Sequence, residues 1–122
     1  MQTYGMALRL RDDPQVIARY RKEHARAWPE VLARLRQVGI TEMRIFLLGR
    51  RLFMYCETVD GFDPASDFAR CNDDPTYRRW DELMRGLQER VEEARPGEWW
   101  ATMDLVFDLN WPQQQPPAAR RA

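Results

Sequence analysis

In the segment Tyr20-Arg21-Lys22-Glu23-His24-Ala25-Arg26-Ala27-Trp28-Pro29-Glu30, a phenol, an imidazole and an indole recur every four residues. On a helix, positions i, i+4 and i+8 project from one stripe. His24 is the only histidine in the chain. Imidazole is the one side chain whose ordinary pKa, ~6.5, allows it to give or take a proton near neutrality. The stripe is also the apolar one, so the same pattern describes a core histidine bonded to a carbonyl between two packed aromatics. Periodicity leaves both readings open.

The elements that would hold this stripe can be read from alternation and from turn residues. Tyr4, Met6, Leu8 and Leu10 alternate with Gly5, Ala7 and Arg9, as in a strand. Asp12 and Asp13 offer N-caps, and Pro14 suits a first helical position. Apolar residues then recur at spacings of three and four from Val16 to Val38, before Gly39 as a stop. Pro29 predicts a kink or a short break near Ala27–Trp28. Strands are expected over 41–48 and 52–58, joined by a turn at Gly49-Arg50-Arg51. Asp63-Pro64 opens a short helical turn, and Asp74-Pro75 a helix with Tyr77, Trp80, Leu83, Met84, Leu87 and Val91 on one face. A last strand is expected after Gly97, where Trp99, Ala101, Met103, Leu105 and Phe107 alternate with Trp100, Thr102, Asp104, Val106 and Asp108.

The order β-α-β-β-α-β predicts a ferredoxin-like α+β fold with an antiparallel sheet. Helices cover one face of such a sheet. The other face also carries large apolar residues here, which predicts pairing with a second copy. Residues 1–109 form the expected domain, and 110–122, rich in Pro and Gln, an expected disordered tail.

Composition narrows the function. The chain has 122 residues, with 19 Lys and Arg against 19 Asp and Glu. Two of the arginines, Arg120 and Arg121, lie at the extreme end, so residues 1–110 carry a net charge of −2. That balance argues against partners held by phosphate neutralisation and against a polybasic membrane patch. Cys56 and Cys71 lack metal-motif spacing and are too few for a disulfide framework, so no metal site is expected. No leader or spanning segment is apparent, and a reducing cytoplasm is the expected setting.

The motif Tyr20-x-x-x-His24-x-x-x-Trp28-Pro29-Glu30 resembles the signature of the L-rhamnose mutarotase family. Similarity continues through Arg44-Ile45-Phe46, the Leu52–Glu57 strand, Trp80 and Met103-Asp104-Leu105-Val106-Phe107, covering Tyr4 to Leu109. The resemblance implies a homodimer of the dimeric α+β barrel type and a cofactor-free enzyme that interconverts the anomers of a 6-deoxy-L-hexose. It assigns the proton donor to His24 and a sugar contact to Tyr20. An indole suits the apolar face and C6 methyl of such a sugar, which makes Trp80 the candidate platform. Trp28 is read as core or dimer contact, and it is also placed among the candidate substrate-binding residues.

Two departures bear on the substrate. Where the family commonly has a second Trp after Trp80, this chain has Asp81, and where it has a sugar-contacting Tyr on the second strand, this chain has Met43. Exchanging a phenol and an indole for a thioether and a carboxylate alters which ring hydroxyls are satisfied. L-Fucose is therefore expected first and L-rhamnose second. Two other classes share the element order. One is a haem-degrading or small-molecule monooxygenase, with His24 as an axial ligand. The other is an RNA-recognition module stacking bases on Phe53 and Tyr55, which the missing glycines and the negative core disfavour.

Overall fold

The computed structural model describes residues 1–111. The expected tail therefore lies outside the described residues beyond Trp111. Ten elements follow one another: β1 (Gln2–Leu10), α1 (Pro14–Ala25), α2 (Pro29–Gln37), β2 (Ile40–Leu48), β3 (Arg51–Thr58), α3 (Pro64–Arg70), a 3-10 turn (Cys71–Asp73), α4 (Pro75–Leu87), β4 (Gln88–Glu89) and β5 (Ala101–Thr102). The strands form one antiparallel sheet in the order β2-β3-β1-β4, with β5 also paired to β1. This is the mixed α+β, ferredoxin-like arrangement that the sequence predicts.

A repeated Asp-Pro device starts the helices. Asp13 accepts a hydrogen bond from the Gln15 amide, and Asp74 from the Thr76 amide, each with Pro in the first helical turn. Between α1 and α2 the expected kink or short break is a break, over Arg26–Trp28. Pro29 has no N–H to donate, and the residue before it, Trp28, is extended at φ −65°, ψ 133°. Trp28 thus caps α2 instead of continuing the α1 stripe. Similarly, α4 ends at Leu87, not near Val91, because Gln88 turns extended and pairs with Leu10.

The last strand departs furthest from expectation. Of the run from Trp99 to Phe107, only Ala101 and Thr102 form a strand, opposite Ala7 and Met6. One further bond, Met103 N–H to the Gly5 carbonyl at 2.8 Å, ends the contact. The far end of the same β1 edge is already taken by Gln88 and Glu89, which pair with Leu10 and Arg9. Residues 103–107 leave the edge, and Met103, Leu105, Val106 and Phe107 stay exposed.

Pleating sorts the sheet into two faces. Met6, Leu8 and Leu10 on β1, with Leu52, Met54 and Cys56 on β3, are buried under the helices. They join Tyr20, Val31, Trp80, Met84 and Leu87 in two adjoining core clusters. The opposite face has no helix over it. There Phe46 and Phe53 face each other across β2 and β3, with ring centroids 6.1 Å apart. Tyr55, on the same face, donates its hydroxyl to Glu57 at 2.6 Å. Glu42 and Glu57 stand opposite each other on this face, with Arg44 paired to Glu42 at 3.7 Å.

Candidate active site

Packing of α1 and α4 over the sheet brings three of the sequence-selected rings together. Tyr20 and His24, one turn from each other on α1, have ring centroids 4.1 Å apart and planes tilted by 31°. Trp80, from α4, meets His24 edge-on at 5.2 Å. Trp28 reaches the group only through Trp80, which it meets edge-on at 5.2 Å from behind. The break before Pro29 therefore sets the indole of Trp28 against Trp80, and the shared helical stripe ends at His24.

His24 has a defined tautomer. Its Nδ1 sits 3.0 Å from the Tyr20 carbonyl oxygen, which can only accept, so Nδ1 carries the hydrogen and Nε2 keeps its lone pair. Burial holds the imidazole pKa below its ordinary value, against smaller opposing effects from that carbonyl and from the Glu23 charge. The resting ring is neutral and basic at Nε2. Tyr20 is 4 % exposed, and burial pushes its phenol up to about 12. The Gln88 amide approaches closely enough to oppose that rise. Even so, the hydroxyl completes no hydrogen bond among the described residues. Tyr77, buried beside Cys71 and Asp81, also has its pKa raised well above that of an ordinary phenol.

These groups line a cleft of about 1550 Å³ bounded by β2, α1, α4 and the segment leading to β5. That is roomier than the ~300–1000 Å³ usual for small-ligand sites. Met43 lines it from β2, with Ile45 and Leu47 on the same face. Asp81 lines it from α4 and is already engaged, its Oδ2 accepting from Arg85 Nε at 2.9 Å and from Asn72 Nδ2 at 3.5 Å. Sequence reasoning did not select Asn72, Arg85, Gln88 or Trp99, all of which also line the cleft. Only the Asp81/Arg85 spacing of four on a helix carried a local signal. Gln88 and Trp99 meet through a bond that spans a loop, Trp99 Nε1 to Gln88 Oε1 at 2.8 Å, and no short-range pattern announces it. No group of metal-ligating side chains is found among the described residues.

A half-covered antiparallel sheet thus carries an imidazole, a phenol and an indole in one cleft. Comparison with known proteins gives the family. The L-rhamnose mutarotase family model matches residues 3–109, and the chain belongs to this family of carbohydrate isomerases. Among relatives, the chain is 44% identical to a UPF0734 protein of Dictyostelium discoideum, over 93% of this chain and 94% of that one. It is 38% identical to an L-fucose mutarotase of Xanthomonas campestris pv. campestris, over 90% of each. The fold is similar to the crystal structure of an L-rhamnose mutarotase from Formosa agariphila, with a TM-score of 0.63 and 16% identity, covering 90% of this chain and all of that one. The family favours carbohydrate isomerisation over the haem or monooxygenase alternative.

Proposed function

We propose that this protein interconverts the α and β anomers of a 6-deoxy-L-hexose, L-fucose in the first instance and L-rhamnose in the second. The observation that carries the reading is the fixed tautomer of His24, a neutral imidazole basic at Nε2 and stacked on a buried phenol. In ring opening, Nε2 takes the proton of the C1 hydroxyl as the C1–O5 bond breaks. O5 receives a proton from the Tyr20 hydroxyl. The open aldehyde rotates about C1–C2 and presents its other face. In closure O5 returns its proton to Tyr20, and His24, now protonated, donates to the new C1 oxygen. His24 is thus the proton donor of the closing half-reaction, as the family resemblance implies, and the base of the opening one. Every proton is restored, so the cycle needs no metal and no covalent intermediate.

Trp80 supplies an apolar wall for the sugar face and methyl group, stiffened from behind by Trp28. Met43 and Asp81 replace a phenol and an indole at the family's sugar-contacting positions, which supports L-fucose ahead of L-rhamnose. The exposed Phe46/Phe53 face and the unpaired apolar run from Met103 to Phe107 support a homodimer. Both cysteines are free and buried, in keeping with a reducing cytoplasm. Saturation-transfer NMR on the anomeric protons of both sugars tests the activity and its preference. His24→Ala is expected to abolish catalysed exchange in a folded protein. Full exchange by that variant rejects the mechanism, and catalysis of rhamnose exchange alone rejects the order of substrates.

A further inference from the structure

A second indole lines the cleft, Trp99, on the segment that leads to β5, and the mechanism above gives it no task. It packs against the same core cluster that holds Tyr20 and Trp80. Contacts on two sides fix its ring. The Trp99 Nε1 donates at 2.8 Å to Oε1 of Gln88, which is itself buried. The Arg85 guanidinium lies over the ring, 4.6 Å from its centroid. Arg85 is held in turn by Asp81, one turn back on α4, with Nε 2.9 Å from Oδ2. The backbone before the ring is equally constrained. Glu98 accepts from the Arg95 and Thr102 amides through its two carboxylate oxygens, at 2.9 and 3.2 Å, and its carbonyl accepts from Arg90 Nε at 2.8 Å. Trp99 therefore meets the cleft as a rigid surface.

An indole can offer a ligand its N–H or its faces. The Trp99 N–H is engaged by Gln88 and one face by Arg85, which leaves the opposite face for the cleft. A ring with its donor already bonded suits the C–H surface of a sugar, not its hydroxyls. Trp80 is built in the same way, backed edge-on by Trp28 at 5.2 Å. The helix that carries Trp80 also seats Trp99, by Arg85 in its last turn and by Gln88 just beyond its end. Asp81, next to Trp80, stands one guanidinium away from Trp99. The two indoles thus belong to neighbouring parts of one cleft. We propose that Trp99 is a second stacking platform for the 6-deoxy-L-hexose, with Arg85 and Asp81 as positioning residues that act on the sugar through it. The proposal rests on the mutarotase reading of the site. Asp81, already engaged by Arg85 and Asn72, then serves the sugar without touching it.

The test pairs saturation transfer with NMR of the protein itself. Titration of the wild-type enzyme with L-fucose, or with L-rhamnose if that is the sugar exchanged, is expected to shift the Trp99 indole 1H–15N resonance. That resonance is assigned by its absence from Trp99→Phe. Trp99→Leu is expected to raise KM about tenfold with kcat within about twofold, the signature of binding shared by ground and transition states. Trp99→Phe, which restores an aromatic face, is expected to recover most of that affinity. Arg85→Met and Asp81→Asn are each expected to raise KM about threefold, and neither to add anything beside Trp99→Leu. A packing role alone would move Tm and leave KM where it was. Unchanged KM in an active Trp99→Leu, or a Trp99 resonance indifferent to saturating sugar, overturns the inference and leaves the mutarotase reading standing. If Trp99→Leu does not fold, the wild-type titration decides. Losses from Arg85→Met or Asp81→Asn that persist beside Trp99→Leu overturn their positioning role. A wild-type protein that exchanges neither sugar overturns both readings.

Discussion

Replacing Tyr20 by Phe removes one oxygen and leaves the ring stacked on His24. In most proteins the loss of a buried tyrosine hydroxyl costs about 1 kcal/mol, because a hydrogen bond goes with it. Here the hydroxyl is buried, 4 % of the residue being exposed, and it completes no hydrogen bond among the described residues. An unsatisfied buried polar group costs roughly 1–3 kcal/mol of desolvation. Removing it recovers part of that cost, while the Gln88 amide loses its neighbour. The balance lies between neutral and about 1 kcal/mol of stabilisation, or at most about 3–5 °C in Tm for a domain of this size. Activity moves the other way. A general acid in the ring-opening step contributes roughly a hundredfold or more, so the variant should melt at or above the wild-type temperature and lose nearly all catalysed exchange. Thermal melts by circular dichroism, paired with saturation transfer on one preparation, measure both. A Tm lowered by more than ~4 °C would refute the reading of the hydroxyl as unsatisfied. Exchange within threefold of wild type would refute its role as the acid.

Three further outcomes follow from the geometry. Because burial lowers the folded pKa of His24 below ~6.5, the unfolded chain binds the proton more readily. The stability that the neutral ring contributes is therefore complete above pH 6.5 and is lost as pH falls toward the folded pKa. Catalysed exchange should likewise survive below pH 6.5 and fail on an acid limb centred under that value, whereas a midpoint above 6.5 would contradict the burial argument. Introducing Asp at both Phe46 and Phe53 places two charges on the open sheet face and should convert a dimer to a monomer in sedimentation velocity, with each folded core intact. Gly39→Ala should destabilise by about 1–3 kcal/mol in urea titration, because φ is +111° and the new Cβ would lie 2.8 Å from a Val59 methyl carbon.

Local chemistry made much of this architecture readable. Asp-Pro steps at 13–14, 63–64 and 74–75 mark three helix starts, and pleated alternation marks β1, β2 and β3. These signals are short-range, and the residues that generate them also carry them out. The last strand failed for the opposite reason. Alternation from Trp99 to Phe107 is a property of the segment, but Gln88–Glu89 hold the Arg9–Leu10 end of the β1 edge that Trp99 and Trp100 would need in order to pair. The site divides in the same way. Tyr20, His24 and Trp80 were identifiable from type, spacing and resemblance. Gln88 and Trp99 were not, since their bond joins the ends of a loop. Asp81 was recognisable as a departure, while its engagement with Arg85 and Asn72 required coordinates.

The two short strands on the β1 edge also bear on how such a site can change over generations. Both ends of the stretch from Arg90 to Trp100 are pinned to one strand, β4 at Leu10 and β5 at Ala7. Arg90 ties the stretch across its own base, donating to the carbonyls of Glu98 and Arg95 at 2.8 and 2.6 Å. Residues 91–94 can therefore be lengthened, shortened or rewritten without moving a single strand pair. One wall of the cleft, the one that ends in Trp99 and Trp100, is an interchangeable part mounted on an invariant frame. Residues 91–94 stand outside the cleft lining, which in this stretch runs from Arg95 to Trp100, so such changes leave the imidazole and phenol on α1 in register.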